Sequence, residues 1–353
     1  MIAAEKKLPK LSYVLLSHNR ERYIRQAIES AFAQDYEGEL EYIFSDDCST
    51  DKTYEIIKEC VGAYKGGRRV VVVQTPRNMH LAGHTNYAVQ FATGDYVIRA
   101  DDDDLSTVDR CTLIGQAISE HPGCSSVIAR ICEFVDKDEA TATARSKMKT
   151  TEIPEAVVLV VATGFDGVSE FVAPQRSNKV WSIDVYRAFP PLSDDAYWVD
   201  DLICMFRANA LGECISLPAV VVMARKECRN MCNGEGNGQR GFGAIMRLER
   251  FNDKYWNTTY APLEKAVAEV RRYMEEFRPQ AFAAAGKYFD TLNDYLRRQA
   301  IERSYWRKGT INRFRIRRAL GRKGLFSLIR CLPMPIFALL QSSFRKLKSC
   351  IPF

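Results

Sequence analysis

Short apolar segments alternate with amphipathic ones through the first third of the chain, and this alternation constrains the fold more than any other feature. Leu11 to Leu16 (LSYVLL) reads as a buried strand, and residues 21–34 place Ile24, Ala27, Ile28, Ala31 and Phe32 at helical spacing. Tyr42-Ile43-Phe44, Val70 to Val73 and Tyr96 to Ala100 repeat the strand pattern, with helical stretches predicted at 52–61 and 82–92. Near-continuous apolar strands separated by helices imply an α/β fold with a mostly parallel sheet covered on both faces. In such sheets ligands sit beyond the carboxyl ends of the strands. Three polar clusters fall at those ends: His18-Asn19, Asp46-Asp47 and Asp101 to Asp104.

The four consecutive aspartates carry the most chemistry. Adjacent carboxylates repel, so a strand end that collects them needs a compensating cation. Mg²⁺ and Mn²⁺ prefer oxygen ligands and commonly combine a few carboxylates with substrate phosphate oxygens. The pattern therefore suggests a metal–diphosphate site, the bland alternative being a solvated acidic turn.

The runs VLLSHNRERYIRQAIESAFAQ, IFSDDCSTDKT and ATGDYVIRADDDDLSTVDR, in that order, resemble the inverting family 2 glycosyltransferases of the GT-A fold. The resemblance is clear over about residues 10–115 and fainter to about 232. Within these three runs His18 stands for a usual Tyr, Cys48 for a usual Gly, and Val108 for the Pro before Asp109. The resemblance implies a nucleotide-sugar-binding half at 1–115, an acceptor-binding half of the same domain at 116–235, and a helical, basic C-terminal extension at 236–353.

Residue by residue, it makes Asp47 the loop aspartate that hydrogen-bonds the nucleotide base, with His18 and Asn19 in the donor-binding turn. Asp46 either supports that loop or caps the following turn. Asp103 corresponds to the direct metal ligand and Asp101 to a contact with ribose or with the metal and its water. Asp102 and Asp104 stand around them. Asn78 and Asn86 match polar donor-side positions, or are ordinary turn and helix-surface residues.

An inverting transfer also needs a base for the acceptor hydroxyl. The family carries an aspartate about a hundred residues after the metal motif, opening a helix, and Asp201 in YWVDDLICMF matches it; Asp200 stands where Glu is usual. Acids at helix N-termini are also stabilising without any catalytic duty. Further on, Arg225 and Asn230 match a family pattern in which Arg225 would meet diphosphate charge, while Glu227 replaces the usual histidine. The glycine-rich run 233–241 lacks the spacing of a phosphate-cradling loop and reads as a linker or a lid.

Charge is divided unevenly. From Arg297 to Lys348 there are fifteen Lys and Arg against Glu302 alone, whereas the remainder holds thirty-five basic and forty-three acidic residues. The tail also contains an apolar run, Leu325 to Leu340, interrupted by Arg330, Pro333 and Pro335. That run is too short to span a bilayer and suits a segment resting on anionic lipid. No nucleic-acid fold signature accompanies the basic tail, so no nucleic-acid partner is expected. MIAAEKKLPK reads as a polar lead-in, and the eleven scattered cysteines as reduced thiols, which together point to a cytoplasmic protein, peripheral on the membrane face.

The resulting expectation is a non-processive, metal-assisted hexosyltransferase. It would use a UDP-sugar and Mg²⁺ or Mn²⁺, act on a glycan or lipid-linked acceptor, and serve cell-surface polysaccharide synthesis. A sugar-phosphate nucleotidyltransferase and a non-catalytic module on the same fold are the alternatives.

Overall fold

The structure of the protein, a computed structural model, describes residues 7–134, 147–152, 158–159, 179–194, 196, 200–225, 261–283, 289–290, 293–294 and 296–297. Glu227, Cys228, Asn230, Cys232, the glycine-rich run and the tail from 298 onward lie outside the described residues. The chain divides into two compact units, one of residues 1–227 with 265–279 and the other of 228–264 with 280–353.

The first unit opens with β1 (Leu11–Ser17), α1 (Ile24–Phe32), β2 (Leu40–Asp46), α2 (Thr53–Ala63), β3 (Val70–Gln74), α3 (His80–Val89) and β4 (Tyr96–Asp101). It continues with β5 (Leu105–Ser106), α4 (Arg110–Glu120), β6 (Ser126–Phe134), β7 (Val158–Leu159), β8 (Lys179–Ser182), α5 (Asp184–Arg187), α6 (Asp200–Leu211) and β9 (Cys214–Arg225). α7 (Ala261–Phe277) follows.

The strands form one nine-stranded sheet in the order β3-β2-β1-β4-β8-β6-β9-β5, with β7 against β6. β3, β2, β1 and β4 are parallel, as the alternation predicts. The other half is mixed: β8 runs antiparallel to both β4 and β6, β6 is parallel to β9, and β5 is antiparallel to β9.

Strand periodicity decides which residues meet which helices. Leu11, Tyr13 and Leu15 of β1 join Tyr42 and Phe44 of β2 and Ile98 of β4 on one face, packed with Ile24, Ala27 and Ile28 of α1 and Ile114 and Ile118 of α4. The alternate residues Val14, Leu16, Ile43 and Val97 pack on the opposite face with Ala88 of α3 and Ile183. Both faces of these strands are apolar because both are covered. Gly94 lets β4 enter the sheet: a Cβ there would lie 2.7 Å from the backbone nitrogen of Ser12.

The register of β9 against β6 shifts from Ala129–Leu217 to Arg130–Val220. Pro218, which has no N–H for the ladder, sits in that irregularity. α7 is interrupted at Arg278, because Pro279 excludes the preceding residue from helical backbone, and residues 279–283 are helical again. In the second unit the Phe282 and Phe289 rings meet at 5.6 Å.

Candidate active site

The parallel register brings the polar clusters level. Ser17 lies opposite Asp46 and Leu16 opposite Asp101, so β1, β2 and β4 finish along one edge. Hydrogen bonds then join the three strand ends. The backbone N–H of Asp47 donates to the Ser17 carbonyl at 2.8 Å, and that of His18 to Asp102 Oδ2 at 2.9 Å. His18 Nδ1 lies 2.8 Å from the Asp47 carbonyl oxygen, and its Nε2 lies 3.0 Å from Asn78 Nδ2. Asn19 adopts a left-handed backbone with φ 53°, and its Oδ1 accepts the Thr50 N–H at 2.8 Å. A residue with a short polar side chain suits both requirements.

Asp46 and Asp47 are both buried but do different work. The Asp46 carboxylate accepts from the Ser49 N–H and hydroxyl and from Gln74 Nε2, so it closes its own loop. Asp47 Oδ1 accepts from the Thr75 hydroxyl and the Met79 N–H, each at 2.8 Å. That ties the loop after β2 to the segment before α3. Both bonds use one oxygen of Asp47.

The aspartate run is held from two sides. Arg20 Nε stands 3.4 Å from Asp102 Oδ1 and 3.8 Å from Asp103 Oδ2. Behind it, Asp104 Oδ1 accepts the Arg225 N–H at 2.9 Å, and Arg225 Nε donates to the Asp103 carbonyl at 2.9 Å. Burial pushes the Asp102 carboxyl up to about 8, Asp103 adding to the rise and Arg20 opposing it. Burial likewise pushes Asp101 up to about 6, against Arg99 and with Asp103 adding to the rise. Such crowding is relieved by a cation. The donor set, hard carboxylate oxygens at a strand end, fits Mg²⁺ or Mn²⁺. Among the described residues no group of three or more His, Cys, Asp or Glu is gathered as a metal site. Asp101 and Asp103 would therefore share an ion with oxygens from elsewhere, such as phosphate and water.

Asp200 and Asp201 begin α6 and meet two buried cations from the sheet. Arg99 Nη1 contacts Asp200 Oδ2 and lies 3.1 Å from Asp201 Oδ1. Lys179 Nζ lies 2.9 Å from Asp201 Oδ2. Arg99 Nη2 is also 3.9 Å from Asp101 Oδ1, so this one side chain links the aspartate run to the start of α6. Burial would raise the Asp201 carboxyl, but Lys179 and then Arg99 outweigh it and hold it below the ordinary carboxylate range. For Asp200 burial wins over Arg99, and its carboxyl is raised.

Asn86 and Arg225 are each engaged by other parts of the protein. Asn86 uses both ends of its amide on the backbone of Leu192, at 2.8 and 3.0 Å, which makes it a loop tether. Arg225 is 3 % exposed, with its guanidinium bonded to Gln26 and set over the rings of Tyr23 and Phe134. Through its N–H and Nε it also braces Asp104 and the Asp103 carbonyl. His84 is structural as well: its Nε2 lies 2.7 Å from Ser45 Oγ, and burial pushes the ring down to about 4, so it stays neutral.

Arg99 and Lys179 were not singled out from sequence. The available signal was a charged residue within a strand that is otherwise apolar, YVIRA for Arg99 and KVWS for Lys179. Buried cations of this kind need partners.

Residues 12–164 match the family model described as glycosyl transferase family 2. The putative glycosyltransferase EpsE of Bacillus subtilis (strain 168) is 40% identical over 98 residues, 28% of this chain and 34% of that protein. The poly(ribitol-phosphate) beta-N-acetylglucosaminyltransferase TarS of Staphylococcus aureus (strain Mu50) is 31% identical over 114 residues, 32% of this chain and 19% of that one. This chain thus spans about a third or less of the length of these relatives. The crystal structure of S. aureus TarS 1-349 in complex with UDP-GlcNAc superposes with a TM-score of 0.52 at 16% identity, covering 96% of this chain and 92% of that one. The architecture is accordingly the GT-A fold, and over residues 12–164 the chain resembles the family 2 glycosyltransferases.

Proposed function

We propose that this protein is a glycosyltransferase that moves one sugar, with inversion, from a nucleotide-diphosphate donor to a hydroxyl acceptor. One observation carries the reading most: Arg99 reaches both Asp101 at the end of β4 and Asp201 at the start of α6. A donor-side carboxylate and a candidate base are thereby held by the same side chain.

In this reading Asp47 accepts a hydrogen bond from the nucleotide base with the oxygen that Thr75 and Met79 do not use. A uracil N3–H suits that carboxylate, which favours a UDP-sugar. His18, Asn19 and Asp46 hold the turns around the nucleotide. Asp101 and Asp103 hold Mg²⁺ or Mn²⁺, with Asp102 ordering the turn at His18. A bound divalent ion offsets the charge that gathers on the departing diphosphate. Asp201 takes the proton of the acceptor hydroxyl, for which its lowered pKa keeps it ionised. TarS, similar over 32% of this chain, is named as a poly(ribitol-phosphate) beta-N-acetylglucosaminyltransferase. That supports a glycan or lipid-linked acceptor in polysaccharide synthesis. Among the described residues no helix is long and apolar enough to cross a membrane. The basic tail read from sequence supports attachment to an anionic membrane face.

The test is a panel of UDP-glucose, UDP-GlcNAc, UDP-galactose and GDP-mannose, each with Mn²⁺ and with EDTA, followed by release of the nucleoside diphosphate. Metal-dependent release from one or two donors supports the reading. Binding without turnover would favour a non-catalytic module, and pyrophosphate-dependent formation of a nucleoside triphosphate would favour a nucleotidyltransferase.

A further inference from the structure

The start of β8 holds a buried lysine whose cation faces the start of α6. Lys179 is 1 % exposed, and its partner is Asp201. β8 runs antiparallel to β4 with Val180 opposite Ile98, so Lys179 lies one step beyond that pair, beside Arg99. Two buried cations on neighbouring strands repel each other. They are tolerated because Asp200 and Asp201 lie against them. Replacing a whole buried ion pair with apolar side chains is often neutral or stabilising, whereas removing one partner leaves the other charge uncompensated.

We infer that Lys179 is a positioning residue that fixes the orientation of the Asp201 carboxylate for proton transfer from the acceptor. This inference rests on the function proposed above. Asp201 has one cation on each oxygen: Arg99 Nη1 at 3.1 Å from Oδ1 and Lys179 Nζ at 2.9 Å from Oδ2. Held at both oxygens, the carboxylate cannot rotate about its terminal bond without breaking a charged contact. The two cations differ in how far they are committed. Arg99 also serves Asp200 and Asp101, so its position is set by three carboxylates. Lys179 serves Asp201 and sets the remaining degree of freedom.

In the transfer the acceptor oxygen bonds to the anomeric carbon while the bond from that carbon to the diphosphate oxygen breaks. The electron pair leaves with the diphosphate, and the acceptor proton passes to Asp201. The lone pair that receives the proton must face the acceptor, and small misplacements of a reacting group lower rates steeply. Lys179 acts through Asp201 and does not itself touch the reacting atoms.

The experiment uses the full chain with Lys179→Met, Lys179→Arg and Lys179→Gln, each alone and combined with Asp201→Asn. Turnover is read as nucleoside diphosphate release from the donor that reacts fastest in the panel above, and donor-side binding as calorimetry of UDP with Mn²⁺. Lys179→Met should lower kcat by at least about tenfold and leave the Kd for UDP within about twofold, with a lowered Tm because Asp201 then keeps Arg99 alone of its two cations. Lys179→Arg should recover most of the turnover. In the Asp201→Asn background Lys179→Met should have no further effect. Lys179→Gln, also neutral and similar in length, gives the same outcomes should the methionine variant fail to fold. A kcat within about twofold of wild type, or an equal loss in both backgrounds, overturns the positioning role while leaving the base intact. Unchanged turnover in Asp201→Asn alone shows instead that the base assignment is wrong. No turnover of any donor overturns the proposed function itself.

Discussion

The backbone N–H of His18 donates to the carboxylate of Asp102 at 2.9 Å, across 84 residues of sequence. This bond makes the turn after β1 and the aspartate run after β4 a single structural unit. It also explains how the run stays folded when its carboxylates repel. Asp102 faces the backbone donor and Arg20, and Asp104 faces the Arg225 N–H. Asp101 and Asp103, which stand 3.9 Å from Arg99 and 3.8 Å from Arg20, are the members proposed to meet a divalent ion. Asp103→Asn should weaken Mn²⁺-dependent UDP binding by at least about tenfold, as loss of metal-site partners does elsewhere. Calorimetry of UDP with and without Mn²⁺ checks this. Full binding by the variant, or full activity in EDTA, sinks the metal role.

Asp201→Asn should leave UDP affinity largely intact and lower turnover by about 10²–10⁴-fold, the usual cost of removing a general base. The pH dependence follows from the direction of its shift. Lys179 and Arg99 hold the carboxyl below its ordinary value, so the acid limb of kcat/KM assigned to Asp201 should lie below the usual carboxylate pKa of about 4. A limb between pH 6 and 7 that disappears in Asp201→Asn would contradict this assignment.

Cys48 occupies a left-handed backbone position, with φ 55°, where the family pattern has glycine. A non-glycine residue there costs about 1–2 kcal/mol, and glycine's extra freedom in the unfolded chain takes back about 0.5–1 kcal/mol. Cys48→Gly should therefore raise stability by up to about 1.5 kcal/mol, measured by urea unfolding. A loss of stability would show that the thiol makes a contact worth more than the strain.

Glu41 is a buried carboxylate with four donors: the Ser12 and Thr93 hydroxyls, the Thr93 N–H and Arg69. Burial pushes its carboxyl up, but these donors prevail and hold it below the ordinary value. The folded pKa thus lies below the unfolded value of about 4.3. The stability this provides is present above about pH 4.3 and is lost as pH falls through the folded value. Glu41→Gln should cost about 1–3 kcal/mol at pH 7, and the difference from wild type should shrink as the pH drops toward 3. An equal difference at both pH values would show that the charge is not what matters.

The basic tail should make vesicle binding dependent on charge and salt. Each Lys or Arg near an anionic surface contributes about 1 kcal/mol. Removing the chain from Arg313 onward should abolish co-sedimentation with phosphatidylserine vesicles at low salt while UDP binding persists. Tight RNA binding without vesicle binding would overturn the membrane assignment.

Strand–helix alternation, the three polar strand ends and the acid pair at Asp200-Asp201 were all legible in the sequence. Each is a local pattern: apolar runs of strand length, or adjacent residues of one type. The register that levels Asp46 with Asp101 was not legible, since it depends on which strands pair. Nor were the partners of the charged side chains. Sequence reports Arg225 only by residue type and spacing. Tertiary packing of β9 is what brings its guanidinium to Gln26, Tyr23 and Phe134. Arg99 and Lys179 lie 80 positions apart in the chain, and neither forms a motif. β4–β8 pairing and the start of α6 bring both onto Asp201. Sequence determined the chemistry at each strand end because that chemistry is carried by neighbouring residues. Tertiary structure decided which charges compensate one another, because partnership depends on distances that only strand pairing and packing set.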